Sequence, residues 1–277
     1  MQPSNPILFF NGCSFVHGHT LLTDFPGELS ISNRIGKELN LQTVNLGSYG
    51  ATNDLIALST IDYFNKLSPE DRSNHIACIG WSEPSRTLVP DPFSNRDDEY
   101  VEGDNYSNLR KLWLQLNIHV FQDADIEIQN KFKNLVKEMI MTLGDDYWFK
   151  EHIKNILLLQ NYFEANNIGY VFWNSIGMPL SDVDSKIVDM FVDLVDWTHW
   201  INWDELKLKY MYPRLPNYAE EFKHPYDFKY GILGAMMFSD PKNISIWTRS
   251  GHPGPNLAQA WSTVIIKHLK SKTLVTN

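Results

Sequence analysis

The sequence predicts an α/β protein: a parallel, doubly wound sheet in three layers, carrying helical and aromatic-rich insertions. Three observations lead there. Short apolar runs alternate with amphipathic stretches in a β-α-β-α-β order, and such an order calls for parallel strands joined by crossover helices. The 277 residues are 43% hydrophobic and 21% charged, enough for a sizeable core and unlike a disordered chain. Loops rich in Gly and Ser follow the apolar runs, at the strand ends where open parallel sheets bind ligands.

Each element is read in turn. Pro6 to Asn11 is a continuous apolar run closed by Gly12, as expected of a buried strand. Glu28 to Leu39 is helical, with Ile31, Ile35 and Leu39 at helical spacing. Leu41 to Leu46 forms a second strand, closed by Gly47-Ser48-Tyr49-Gly50. A helix follows over Asn53 to Leu67, its stripe made by Leu55, Ile56, Leu58, Ile61 and Phe64, with Asn53 as the expected cap. His75 to Gly80 is the third strand. Pro90 to Asn108 is polar and reads as a surface loop. Helical patterns resume over Ser107 to Leu143 and Tyr147 to Asn166, and Ile168 to Trp173 is a fourth strand. Residues 178–243 are irregular, Ile244 to Trp247 is a short fifth strand, and Asn256 to Leu269 is the terminal helix behind His-Pro-Gly-Pro. The whole reads as one domain over 1–277 with insertions at about 90–150 and 178–243.

Composition excludes several classes. A net charge of −9 repels phosphate backbones, so no nucleic-acid partner is expected. Two cysteines, Cys13 and Cys78, make neither a disulfide framework nor a metal site, which points to a reducing compartment. The apolar stretch near the N-terminus, Ile7 to Phe10, is too short for a secretory signal or a membrane span. A cytoplasmic protein without a membrane partner is the expectation.

Three loops carry residues suited to chemistry. Gly12-Cys13-Ser14-Phe15-Val16-His17-Gly18 puts a hydroxyl at a strand-to-helix turn, where backbone N–H groups can face an oxyanion. Asn45 to Asn53 holds two glycines, Gly47 and Gly50, that permit close backbone approach. Gly80-Trp81-Ser82-Glu83-Pro84-Ser85-Arg86 follows the third strand, and Ser250-Gly251-His252-Pro253 sets an imidazole before the last helix.

In order and spacing these four loops resemble the blocks of the SGNH (GDSL-like) hydrolases. Gly12-Cys13-Ser14 with Gly18 is similar to the first block, Val44-Asn45 with Gly50 to the second, and His252-Pro253 to the last. The resemblance implies an SGNH/flavodoxin-like fold and a serine esterase without a cofactor. Ser14 would be the nucleophile and His252 the base. The backbone N–H groups of Ser14 and Gly50, with the Ser82 hydroxyl, would form the oxyanion hole. The substrate would be a small acyl ester, such as an O-acetyl group on a polysaccharide. Gly-Cys-Ser together with Gly-Trp-Ser-x-Pro-x-Arg is similar to phage-encoded members, which would place the chain in a host cytoplasm or a virion.

Two positions depart from the family pattern. Ser82 stands where the third block has Asn, with a shorter reach and a single donor. Arg249 stands where the last block has an Asp, and Asp240 is the nearest upstream acid available to orient the imidazole in its place. Loss of an orienting acid costs ~10⁴ in kcat in a serine triad.

Competing readings attach to several residues. His224-Pro225 with Glu221 mimics an acid-His spacing, although no helical pattern follows it. Cys13 is a second potential nucleophile. His17 and His19 form a metal pair without a nearby third ligand. Glu83 and Arg86 read as a loop ion pair, with Arg86 alternatively facing a substrate carboxylate. Trp81 and Asn53 are further substrate-contact candidates. Trp197, Trp200 and Trp203, with Tyr210 and Tyr212, read either as core or subunit interface or as a sugar-stacking platform. The rival to an enzyme is a non-catalytic binding protein or virion component, including a homo-oligomer, that keeps the fold.

Overall fold

β1 (Ile7–Gly12) is an inner strand of the main sheet, hydrogen-bonded to a strand on each side. The computed structural model describes residues 5–18, 21, 24–25, 27–84, 86–90, 113–116, 126–175, 184–201 and 254–275. After β1 come α1 (Ser14–His17), α2 (Ile31–Leu39), β2 (Thr43–Asn45), α3 (Asn53–Asn65), α4 (Pro69–Ser73) and β3 (His75–Trp81). Then follow β4 (Thr87–Pro90), β5 (Trp113–Leu116), α5 (Ile126–Ala165), β6 (Gly169–Asn174), α6 (Ser185–Val192), a 3-10 turn (Trp197–His199) and α7 (Pro255–Ser271).

The main sheet runs β2-β1-β3-β6 with all pairs parallel. From β1 the chain steps outward to β2, then recrosses to β3 and continues to β6. Right-handed crossovers then put α2 on one face and α3 and α5 on the other. The packing agrees: α7 lies on α2, and α3 lies on α5. This is the three-layer α/β architecture expected from the sequence. β4 and β5 pair antiparallel in a separate two-stranded ribbon.

Alternation along the strands builds both cores. Phe9 faces α3, stacked on Tyr63 with ring centroids 4.6 Å apart and packed on Phe64, while Leu8 and Phe10 face the opposite layer. Trp81 and Phe172 extend the α5 side. Asn11, at the end of β1, is buried but fully used. Its amide donates to Ile56 O at 3.1 Å, Ser59 Oγ at 3.0 Å and Thr60 Oγ1 at 2.8 Å, and its Oδ1 accepts from Gly12 N. That tie fixes the strand end from which α1 starts.

Several expectations are corrected. Asn53 is not the cap of α3. Thr52 is, its hydroxyl accepting from Leu55 N at 3.1 Å, because the Asn53 side chain is engaged elsewhere. Residues 113–116, inside a predicted helix, are a strand; four residues are too few for periodicity to separate the two. The predicted break between Leu143 and Tyr147 is present: Gly144, at φ 63° and ψ 175°, is non-helical and divides α5 into two helices. The stretch expected to be irregular contains α6 and the 3-10 turn, whose start is capped by Asp196. The predicted strand Ile244 to Trp247 lies outside the described residues, among which no helix is long and apolar enough to cross a membrane.

Candidate active site

The topology reverses at β1 and β3, and the crevice beyond their carboxyl ends is where open sheets of this kind bind ligands. Ser14 is the first residue of α1, directly behind Gly12 of β1, with Cys13 in the capping position. The helix is a single turn, closed by Gly18 in the left-handed conformation, whose N–H donates to Ser14 O at 3.0 Å. Ser14 is buried, 6% exposed.

The loop after β2 packs onto this turn. Leu46 N donates to Phe10 O at 2.8 Å and Ser48 N to Gly12 O at 2.9 Å, so the loop continues alongside β1 to its end. Asn45 braces it: its amide donates to Val16 O and Ser32 Oγ, and its Oδ1 accepts from Gly47 N. A Cβ on Gly47 would stand 2.7 Å from His17 N, so only glycine lets loop and helix approach this closely. Gly50 ends the loop at φ 62°, and the rings of Tyr49 and His17 lie 5.1 Å apart.

The loop after β3 is held by Asn53, the first residue of α3. Asn53 Oδ1 accepts from Ser82 N at 2.8 Å, and its amide nitrogen donates to Ser82 O at 3.2 Å and to His152 Nδ1 at 2.9 Å. That geometry makes Nδ1 of His152 the acceptor, so the proton of the neutral ring sits on Nε2. Complete burial lowers the His152 pKa to about 3. Asn53, 2% exposed, is therefore a loop brace. Trp81 is likewise a core residue, wholly buried edge-on to His152.

Cys13 is also wholly buried, and burial pushes its thiol up, partly opposed by the charge of Arg86 and by the nearby Phe15 N–H and Ser82 side chain. A thiol held protonated is a poor nucleophile. The Ser82 side chain, 1% exposed, thus lies beside Cys13. Arg86 and Glu83 form the expected loop ion pair, Nε to Oε2 at 3.5 Å.

Gly254, buried at the start of α7, marks the approach to the last loop. Arg34 near the start of α2 donates to Gln259 near the start of α7 at 2.8 Å, so these two helices begin at the same end. His252, Arg249, Asp240, His224, Glu221, His19, Trp203, Tyr210 and Tyr212 lie outside the described residues. Of the aromatic cluster, Trp200 is buried against Phe172 with centroids 5.6 Å apart, and Trp197 packs on Trp200, which is core packing.

Sequence reasoning missed His152. A lone His in a helical stretch gives no signal of its own, and only the fold brings it to Asn53 across 99 residues.

No protein-family model and no curated protein sequence matches the chain. Among solved structures it is similar to a member of the lipolytic G-D-S-L family from Veillonella parvula, at 8% identity and TM-score 0.41, covering 94% of this chain and 96% of that one. It is also similar to the lipase Lip_vut3 from a goat rumen metagenome, at 13% identity and TM-score 0.41, covering 95% and 97%. Both are distant similarities of chain course, and neither assigns a role to any side chain.

Proposed function

We propose that the chain is a serine ester hydrolase of the SGNH type acting on a small acyl ester, such as an O-acetyl group on a polysaccharide. One observation carries the reading. Ser14 opens a helical turn at the carboxyl end of the central strand, and the loops after β2 and β3 are both packed around that turn. In this reading Ser14 Oγ attacks the acyl carbon while His252 takes its proton. The oxyanion is held by the N–H groups of Ser14 and Gly50, and His252 then protonates the departing alcohol. Water, activated by the same imidazole, releases the acid and restores Ser14. The Ser82 hydroxyl, buried beside the Cys13 thiol, is the third donor of this reading.

Hydrolysis of p-nitrophenyl acetate tests the proposal. The folded protein should release p-nitrophenol, Ser14→Ala and His252→Ala should not, and His224→Ala should retain the activity. Activity lost in His224→Ala but kept in His252→Ala would reverse the choice of base. A second reading, a binding protein or virion component that keeps the fold without catalysis, is favoured by the position of Ser82 and by Arg249 in the family's acid position. It predicts no hydrolysis by folded protein.

A further inference from the structure

We propose that Arg86 is an anion-recognition residue beside the Ser14 turn, so that the favoured ester carries a carboxylate or a comparable small oxyanion; the word ester rests on the function proposed above, the anion site does not. Arg86 follows β3 by a short loop and its backbone N–H is tied to Glu83 O at 3.2 Å, which fixes where the side chain starts. The side chain keeps 11% of its surface open, and that of Glu83 only 2%. Their contact, Nε to Oε2 at 3.5 Å, is too long for a hydrogen bond.

A guanidinium is permanently charged and offers five N–H donors in a planar fork. In folded proteins such a fork is normally closed by a bidentate carboxylate or by carbonyls. Here Nε and Nη1 are both buried and neither has a hydrogen-bond partner. Glu83 balances the charge without filling the fork. The part of the side chain that stays open gives a planar oxyanion access to the guanidinium, and a small rotation of the side chain would bring the buried Nε–H and Nη1–H onto its oxygens; the pair it must loosen is not hydrogen-bonded. The location suits a substrate contact, since the guanidinium acts electrostatically on Cys13, the neighbour of Ser14. Glu83 is then a competing counter-ion that weakens binding of other anions.

Two variants of opposite expected sign test this. The ratio of kcat/KM for p-nitrophenyl hemisuccinate over p-nitrophenyl acetate should exceed one by about tenfold in the wild type. It should collapse toward one in Arg86→Gln and rise in Glu83→Gln, a pair of opposite shifts that general damage to the loop does not produce. Succinate and inorganic phosphate supply a readout independent of turnover. Each should raise the Tm of the wild type, raise it further in Glu83→Gln and leave Arg86→Gln unmoved, and whichever acts at lower concentration identifies the oxyanion as carboxylate or phosphate. If neither ester is hydrolysed while this Tm pattern holds, the esterase reading falls and the anion site stands. A selectivity ratio near one in the wild type, or anion stabilisation that survives Arg86→Gln, overturns the proposal.

Discussion

Ser14 can be picked out of the sequence because its chemistry is local. A hydroxyl between an apolar run and a glycine-closed turn needs no distant partner to be recognised, and the same holds for the loop glycines. The orienting acid is different. In the proposed reaction nothing electrostatic steadies the imidazolium of His252 as it forms, unless a carboxylate arrives from elsewhere, and a guanidinium on Arg249 near the ring would oppose it. Arg249→Asp should therefore raise the esterase rate tenfold or more, since ~1.4 kcal/mol of transition-state stabilisation is one decade. An unchanged rate in a folded variant would mean that another group already orients the ring, and Asp240→Asn would be the next measurement. Asn53 shows where local reading fails. Its position before an apolar stripe suggests a cap, yet its amide is spent on Ser82 and His152, contacts set by the fold alone. Asn53→Ala leaves the buried Ser82 N–H unpaired and should cost about 1–3 kcal/mol in denaturant unfolding.

At the scale of elements, β1, α2, β2, α3 and β3 are legible because apolar period and loop composition agree with each other there, whereas the short polar α4 has no apolar stripe to announce it. Their neighbours are not legible, because pairing is decided across the sheet. β1 and β3 meet at two glycines, Gly12 opposite Gly80, and α1 seats Val16 on both. A Cβ on Gly80 would collide with Ser175 Oγ and stand 2.6 Å from Val16 Cγ2. Gly80→Ala must therefore displace the side chain of Val16 on α1 together with Ser175 and the Trp173 ring, which stands 2.9 Å away. Overpacking of this kind costs about 1–3 kcal/mol, which for a chain of this size lowers Tm by roughly 2–4 °C per kcal/mol. Calorimetry should show that fall together with a loss of esterase activity larger than the loss of stability explains, because α1 carries Ser14. A variant with unchanged Tm and activity would show that the turn does not depend on this contact.

At the scale of the whole molecule, one buried imidazole couples the packing of the α3–α5 layer to pH. His152 joins α5 to α3 through Asn53, and burial holds it neutral with a pKa of about 3 against an ordinary 6.5. Between those values the unfolded chain binds a proton that the folded one refuses, so stability falls as the pH is lowered. The contribution is intact above about pH 6.5 and is lost toward pH 3 at ~1.4 kcal/mol per pH unit. His152→Gln keeps an acceptor for Asn53 but has no proton to gain. Urea unfolding from pH 7 to pH 4 should show the wild type losing its advantage over this variant at that slope. Parallel curves would mean that His152 does not set the acid limit.

The central claim is that Ser14 is an activated nucleophile in the folded protein, and covalent labelling addresses it without any choice of substrate. Incubation with a fluorophosphonate, followed by intact mass and peptide mapping, should show a single adduct on Ser14, absent from Ser14→Ala and absent after unfolding. No adduct on folded protein, or an adduct that persists in Ser14→Ala, would contradict the account.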